Sequence, residues 1–427
     1  MKRANLILMA ALAAAGLVTV GGGLLAPTVS VAAENQKAKQ KLGPNMAKSL
    51  TAVQEAIDAT NWDLALAKLA EAQAIEPKTP YEAFMVDERL YYVKFQKKDY
   101  AGAAEPLARA VTAGFYSDAD LLARYLVLTQ IYSQLKQYPQ AIEYGKKVIE
   151  LDPSNNAVKY SVAAAMFNTG DYAGARSYAE QAAASMSKPT EQLLRVILSC
   201  NVKLNDRAGT VRALESLVLN YPSQAYWKDL LGLTLYETKS DRDLRALYRL
   251  MADANVLSKA EEFSEFATML MTGGFPNEAK TVLERGLAAN AFTGDALTRA
   301  QTDLQRARAG SDSDRKDLPG AEAALAAAKT GNEMVAYGKL FFSSGEYVKA
   351  ADAISKGLAK GGVTDADDAN ALLGIALARS GKGAEAIEAF GRIKDPKLGE
   401  IGRLWKLHIE TSSQAAATPA PAPAPAG

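Results

Sequence analysis

The residues of this chain that could do acid–base or metal chemistry are few and scattered. The single histidine, His408, lies in a predicted last helix, 398–411, beside Trp405. The single cysteine, Cys200, is distant from it in the predicted helical stack, so the two cannot form a metal site. One cysteine alone cannot form an intrachain disulfide. We expect His408 to lie on the surface of the last helix and the Cys200 thiol to be packed at a small, buried position.

Two acidic clusters offer carboxylates without the pattern of a metal site. Asp365, Asp367 and Asp368 open a predicted helix, where negative charge complements the helix N-terminus. Asp312 and Asp314 belong to a polar segment, and neither cluster has the alternating oxygen ligands and turn glycine of a calcium loop. No Gly-x-x-x-x-Gly-Lys-Ser/Thr phosphate loop and no glycine-flanked nucleophile occur. The sequence therefore predicts no enzyme: no catalytic residue, no cofactor-binding residue and no metal ligand.

An aromatic residue followed three positions later by alanine recurs along the chain. The pairs are Trp62 and Ala65, Tyr100 and Ala103, Tyr138 and Ala141, Tyr172 and Ala175, and Tyr347 and Ala350. The first four alanines are separated by 103 − 65 = 38, 141 − 103 = 38 and 175 − 141 = 34 residues. Apolar residues at helical spacing fill these intervals, and a period in the mid-thirties of this kind is typical of stacked helical hairpins.

This pattern resembles the tetratricopeptide repeat family. One unit carries a Gly170-Asp171-Tyr172 turn, and another carries Leu373-Gly374 followed by Ala386 and Phe390. The resemblance implies an all-α fold, a right-handed superhelical solenoid of helix-turn-helix repeats that is closed at its end by the helix around Trp405. It also implies a protein that binds partners.

Composition divides the chain into six predicted segments. They are a signal peptide (1–33), a linker (34–44), N-terminal and central repeats (45–293), a degenerate repeat (294–330), C-terminal repeats with a capping helix (331–411), and a disordered Ala/Pro-rich tail (412–427). The degenerate repeat is expected to hold two helices, 296–309 and 321–328, separated by a polar insert, 310–317.

The first 33 residues have the order of an export signal. Lys2 and Arg3 precede an apolar run, 6–25, and small residues precede Glu34, which places cleavage near Ala33. The alternative is an uncleaved inner-membrane anchor, because the run approaches the roughly 20 residues that span a bilayer. We expect a periplasmic or secreted bacterial protein with no membrane insertion after signal cleavage.

The charge balance excludes nucleic acid as a partner. The formal net charge is +1, and removing Lys2 and Arg3 leaves +1 − 2 = −1. A nearly neutral chain lacks the basic surface that nucleic-acid binding requires.

In the resembled family, positions 2, 5, 9, 12 and 13 of the first helix of each repeat tend to face a concave groove. The candidate groove residues on this basis are Tyr92, Phe95, Gln130, Tyr160, Phe167 and Arg195. The aromatics would anchor a peptide or helical segment of another envelope protein, unless some of them belong to the core between repeats. The predicted function is a non-enzymatic scaffold or adaptor. The alternative is a carbohydrate-binding protein or an accessory of polysaccharide or protein export, because aromatic faces also stack on sugars.

Overall fold

The computed structural model describes residues 40–417, and this part of the chain forms twenty α-helices and no strand. The expected all-α fold of repeated helical hairpins is confirmed. Its contacts group into two units, divided between Gln137 and Tyr138, a boundary that the sequence did not indicate. The predicted signal peptide and linker residues 34–39 lie outside the described residues.

The first unit contains five helices. They are α1 (Pro44–Asp58), α2 (Trp62–Gln73), α3 (Pro80–Gln96), α4 (Tyr100–Thr112) and α5 (Asp118–Gln134). Apolar faces of α1, α2 and α3 meet in one core, which includes Met46, Leu69 and Val93. The Glu82 carboxylate closes a capping box with Thr79 at the start of α3 and also accepts a hydrogen bond from Gly43 N at 2.8 Å. This carboxylate thereby joins the start of α1 to the start of α3.

The second unit contains fifteen helices. They are α6 (Tyr138–Leu151), α7 (Asn156–Thr169), α8 (Tyr172–Ala184), α9 (Glu191–Lys203), α10 (Arg207–Asn220), α11 (Gln224–Glu237), α12 (Asp241–Asp253), α13 (Ala260–Thr272), α14 (Pro276–Ala288), α15 (Gly294–Ala327), α16 (Gly331–Ser343), α17 (Tyr347–Lys360), α18 (Ala366–Arg379), α19 (Gly383–Gly391) and α20 (Pro396–Ala417).

The turn inside each hairpin follows one design. The residue two positions before the second helix has a positive φ, as Gly170 (87°) and Asn205 (54°) do. In four hairpins the side chain of the next residue caps the second helix; Asp171, for example, accepts from Gly174 N and Asp206 from Gly209 N. Non-glycine residues occupy the strained position in four turns: Thr60, Lys98, Lys136 and Asn205. The turn between α11 and α12 departs from the design, because Lys239 is not among the positive-φ residues.

The predicted division of the degenerate repeat into two helices was wrong. Residues 294–327 form one continuous helix, α15, and the polar insert lies within it. Gly310 lets α15 approach α14, since a Cβ there would lie 2.7 Å from the Pro276 Cβ. The Ser311 hydroxyl is buried and lies 3.0 Å from the Asn277 Oδ1. Small polar residues therefore serve as packing residues here, which explains why they do not interrupt the helix.

The last helix does not end the stack in the expected way. α20 lies against α12, and the buried Trp405 indole N–H donates to the Ala246 carbonyl at 3.1 Å. Arg403 pairs with Glu215, and Lys397 lies 3.6 Å from Glu237. The second unit is thus folded back on its own middle hairpins. α20 also continues to Ala417, so residues 412–417 are helical, contrary to the predicted tail boundary. The remainder of the tail, 418–427, lies outside the described residues.

Two helices become central because of this folding back. Every residue of α18 from Ala369 to Leu377 is buried, as are most residues of α12. A buried ion-pair network joins them to α14: Glu278 pairs with Arg249 at 2.8 Å and with Arg379 at 3.0 Å. Arg379 also pairs with Asp253 at 3.0 Å. The network satisfies charges that apolar neighbours would otherwise leave unpaired.

Candidate partner-binding surface

One register position recurs in the first helix of each hairpin, five residues before the second helix begins. Phenylalanine occupies it in three hairpins and packs edge-on against the tyrosine that starts the second helix. The ring centroids lie 5.5 Å apart for Phe95 and Tyr100, 5.2 Å for Phe167 and Tyr172, and 5.3 Å for Phe342 and Tyr347. Aromatics at this position therefore stabilise their own hairpin turn.

In two of the hairpins whose second helix begins with a residue other than tyrosine, the register position opens to solvent. Val202 precedes Arg207, and Tyr236 precedes Asp241; their exposed fractions are 55 % and 81 %. Arg207 instead donates to the Leu233 carbonyl at 2.6 Å. Arg207 and Asp241 offer Val202 and Tyr236 no aromatic ring across the turn.

Further exposed residues lie along the same two helices. Arg195, Ser199 and Val202 follow at i, i+4 and i+7 on α9, and all three are exposed. Asp229 and Tyr236 lie on α11, 34 positions after Arg195 and Val202 respectively, and both are exposed. We call these five residues the open face. It combines an apolar and an aromatic side chain with a cation and a carboxylate.

The charges of the open face are available to a partner. Within residues 40–417, neither Arg195 nor Asp229 forms an ion pair. Lys239 flanks the Tyr236 ring, with its Nζ 5.5 Å from the ring centroid. These residue types suit the recognition of a segment that contains both apolar and charged side chains.

The predicted groove residues are divided between the two units. In the first unit, Tyr92 is 39 % exposed and meets Trp62 edge-on, Phe95 is half-buried in its hairpin, and Gln130 is exposed. In the second unit, Tyr160 and Phe167 are half-buried and Arg195 is exposed. The continuous aromatic strip stays a prediction. Sequence reasoning missed Val202 and Tyr236, and the replacement of tyrosine by Arg207 and Asp241 could not have found them, since Pro276 and Gly383 replace it without exposing the register position.

Glu88, four positions before Tyr92 on α3, is engaged within the first unit. Its carboxylate pairs with Arg124 at 2.6 Å, and the Tyr116 hydroxyl donates to it at 3.3 Å. The Arg124 guanidinium lies 5.6 Å from the Tyr91 ring centroid and 5.5 Å from that of Tyr116. Burial and the nearby Glu88 raise the pKa of the Tyr116 hydroxyl. This cluster binds α3 to α5 and leaves Glu88 without a free carboxylate.

Two clefts flank α17 on the C-terminal side of the second unit. One has a volume of about 600 Å³ and lies among α15, α16 and α17. The other, of about 510 Å³, lies among α17, α18 and α19. Val348, 63 % exposed, lines both clefts.

Cys200 and His408, the residues that could have done chemistry, are packed among other side chains. Cys200 is buried as expected, and burial raises the pKa of its thiol to about 11. His408 is not a surface residue: its ring lies 5.5 Å from that of Trp227 and 6.0 Å from that of Trp405. Burial lowers the pKa of His408, and Asp253 opposes this effect. The lone histidine is thus part of the contact that holds α20.

The carboxylates of the acidic cluster at 365–368 likewise form hydrogen bonds and ion pairs within the protein. Asp365 caps α18 by accepting from Asp368 N at 2.9 Å. Asp367 accepts from Lys394 N and Asp395 N, and Asp368 pairs with Lys339. Among residues 40–417, no group of three or more His, Cys, Asp or Glu side chains could hold a metal ion.

None of the helices in the described part of the chain combines the length and apolar character that a membrane span requires.

Comparisons with known proteins bear on the fold. No protein-family model and no curated protein matches the chain. Among solved structures, MamA AMB-1 is 18 % identical, with 42 % of this chain and 96 % of that chain covered and a TM-score of 0.30. YrrB, described as a TPR protein with an unusual peptide-binding site, is 14 % identical, with 46 % and 95 % covered and a TM-score of 0.33.

A tetratricopeptide repeat protein from Parabacteroides merdae is 12 % identical, with 78 % of this chain and 100 % of that chain covered and a TM-score of 0.30. At these identities and TM-scores, the likeness carries no argument about binding. The repeated hairpins, the shared turn and the shared register position are observed in the structure of this chain itself. The chain is an all-α protein of repeated helical hairpins that is similar to tetratricopeptide repeat proteins of known structure.

Proposed function

We propose that this protein is a non-enzymatic scaffold that binds a segment of another protein on the open face of α9 and α11. One observation carries the proposal. The register position that is packed in three other hairpins holds an 81 % exposed tyrosine, Tyr236, on α11 and an exposed Val202 on α9. Exposed tyrosines backed by a rigid helix are frequent anchors of protein interfaces, because they bury much area at little entropic cost.

The partner segment is expected to cover Tyr236 and Val202 with an apolar side chain. A carboxylate on the same segment would pair with Arg195, since that guanidinium has no ion-pair partner among the described residues. Tyr236 and Val202 supply most of the binding free energy, and the exposed charges orient the segment. Binding therefore persists at moderate salt.

The site of action proposed here is the bacterial cell envelope, with an envelope protein as partner. This part rests on the order of charged, apolar and small residues in segment 1–33. A second candidate function is binding of a carbohydrate, which the exposed Tyr236 ring favours because sugars stack on aromatic faces. A soluble oligosaccharide competes with the partner only under the second function.

Site-specific photo-crosslinking in the native host tests the proposal. A photoreactive phenylalanine analogue at Tyr236 is expected to capture a discrete protein, whereas the same analogue at the exposed Arg212 of α10 is not. Val202→Asp is expected to abolish capture from position 236, and Val202→Thr to retain most of it. Equal capture from positions 212 and 236 would contradict the assignment of the face. Sequencing of the mature N-terminus tests the envelope assignment separately.

A further inference from the structure

The turn between α11 and α12, which begins two residues after Tyr236, lacks the backbone hydrogen bond that closes the other hairpin turns. In those turns the N–H of the residue before the second helix donates to the carbonyl five residues earlier, as from Asp171 to Met166 at 3.0 Å. This bond satisfies a carbonyl near the end of the first helix. Within the described part of the chain, Ser240 donates no such bond. The end of α11 must therefore be held in another way.

Side chains hold the end of α11 instead. The Arg207 guanidinium, from α10, donates to the Leu233 carbonyl at 2.6 Å, and Lys239 donates to the Tyr236 carbonyl at 3.0 Å. Arg207 also pairs with Glu237, the last residue of α11, at 2.9 Å. These bonds engage the last turn of α11, where the helix itself supplies few donors. The orientation of Tyr236 therefore depends on neighbouring side chains and not on the turn backbone alone.

The start of α20 holds this turn from both sides. Before the turn, Glu237 lies 3.6 Å from the Lys397 ammonium; after the turn, Arg242 pairs with Asp395 at 3.1 Å. We call these four residues the clamp. All four side chains are partly exposed. One such pair alone contributes little, so the clamp acts through the two pairs together.

The clamp is attached to the closed part of the second unit. Asp395 also caps α20 by accepting from Leu398 N at 2.9 Å. Arg242 also lies 3.6 Å from Asp365 at the start of α18. Farther along α20, the buried Trp405 fastens the helix to α12. The start of α20 therefore has a fixed position against which the turn is held.

We propose that the start of α20 regulates the open face, by holding the α11–α12 turn and with it Tyr236 in the conformation that binds the partner. This inference rests on the proposed function of the open face. Tyr236 belongs to the open face and the adjacent Glu237 to the clamp, so loosening of the clamp reaches Tyr236 directly. A frayed last turn spreads the orientations of the ring and raises the entropic cost of binding. Because coupling is reciprocal, a bound partner in turn favours the closed clamp.

Two substitutions together loosen the clamp while they preserve α20. Asp395→Asn keeps an N-cap for α20 but removes its negative charge. Lys397→Met keeps an apolar stem of similar length but removes its positive charge. The matched control is Lys406→Met with Glu410→Gln, which removes one positive and one negative charge from an exposed pair on the same helix.

Amide hydrogen exchange of the full-length protein measures the clamp without a partner. In the clamp double variant, exchange in residues 233–239 is expected to rise several-fold, because the last turn of α11 opens more often. Exchange around Trp405 is expected to stay unchanged, since α20 remains docked. Unchanged exchange in residues 233–239, an equal rise in the control variant or a rise that extends to Trp405 would each overturn the proposal.

Photo-crosslinking from position 236 tests the link to binding. With the photoreactive analogue at this position, the clamp double variant is expected to lower the yield of captured protein several-fold, and the control variant is not. An undiminished yield despite faster exchange would overturn the regulation and leave the proposed function intact. No capture from position 236 without the clamp substitutions would contradict the proposed function and the regulation with it, whereas the exchange measurement still decides whether the clamp holds the turn.

Discussion

The indole of Trp405 donates a hydrogen bond to the backbone carbonyl of Ala246, a residue 159 positions earlier in the chain. Trp405 is 1 % exposed and also stacks on Phe390, with ring centroids 6.0 Å apart. One side chain therefore joins the last helix to the hairpin α11–α12 and to α19. The second unit is closed by this contact and by the ion pairs around it.

Replacement of Trp405 tests how much this closure contributes. Trp405→Ala is expected to lower the free energy of unfolding by about 3–5 kcal/mol, because it removes a fully buried aromatic and leaves a cavity. Chemical denaturation followed by circular dichroism measures the change. Lys406→Ala, at the exposed neighbouring position, is the control and should stay within about 0.5 kcal/mol. A small effect at Trp405 would mean that α20 is not part of the cooperative core.

Removing the negative charge of the buried Glu278 carboxylate is expected to destabilise the protein. Glu278→Gln leaves the guanidiniums of Arg249 and Arg379 without a full counter-charge and should cost about 3–5 kcal/mol. Glu385→Gln breaks an exposed pair and should cost less than about 1 kcal/mol. Similar costs for the two variants, measured by denaturant titration, would contradict a buried network.

The same carboxylate predicts acid sensitivity. Burial alone would raise the pKa of Glu278, but Arg249 and Arg379 outweigh burial and lower it below 4.5. The unfolded chain then binds more protons than the folded chain just below pH 4.5. The stabilisation from Glu278 is therefore present above this pH and is lost as the pH falls through the lowered pKa. The Glu278→Gln variant should show a flatter loss of stability in this range.

His408 predicts a separate effect at milder pH. Burial between Trp227 and Trp405 lowers the pKa of His408 below 6.5, with Asp253 partly opposing. Below pH 6.5 the unfolded chain therefore gains a proton before the folded chain does, so stability should decrease as the pH falls through this region. His408→Phe is expected to remove the slope between pH 7 and 5, measured by thermal melting. The same slope in the variant would exclude His408 as its cause.

Glycines at the contact between α16 and α17 are expected to tolerate no side chain. A Cβ on Gly357 would lie 2.7 Å from the Gly331 carbonyl oxygen and 2.8 Å from Val335. Gly357→Ala should cost about 1–3 kcal/mol through overpacking. Gly232→Ala, where no atom lies within 4 Å, should instead stabilise α11 by about 1 kcal/mol. Thermal melts of both variants are expected to shift in opposite directions.

Substitution at the shared register position should separate packing from binding. Phe167→Ala removes the edge-on contact with Tyr172 and is expected to destabilise the protein by about 2 kcal/mol. Tyr236→Ala is expected to change stability by less than about 0.5 kcal/mol, because the ring is 81 % exposed. Partner capture, in contrast, should fall strongly in Tyr236→Ala and little in Phe167→Ala. An equal stability loss in the two variants would show that Tyr236 is packed.

The candidate surface could be predicted only in part. Arg195 is exposed, whereas Phe95 and Phe167 are half-buried against their own hairpin tyrosines, and the groove that these residues were predicted to line stays a prediction. Sequence spacing places Phe95 and Phe167 at one register position without deciding whether they face solvent. A side chain's exposure depends on the helices that pack around it and cannot be inferred from its own identity.

The sequence by itself determined the helical hairpins. The recurring aromatic and alanine, the helical spacing of apolar residues and the Asp171 cap are local signals, and local signals decide local structure. The Ala/Pro-rich tail stays a prediction from composition, and α20 extends to Ala417, further than composition suggested.

Only the tertiary structure decided how the hairpins of the second unit close. Trp405 meets Ala246, and Arg379 meets Asp253 across 126 residues, in contacts that no periodic pattern encodes. The same contacts bury His408 against Trp227, and packing against α14 keeps the polar insert of α15 helical. The physical reason is that a repeat pattern specifies contacts between neighbours in sequence. Contacts between distant helices depend on the accumulated geometry of all the hairpins between them.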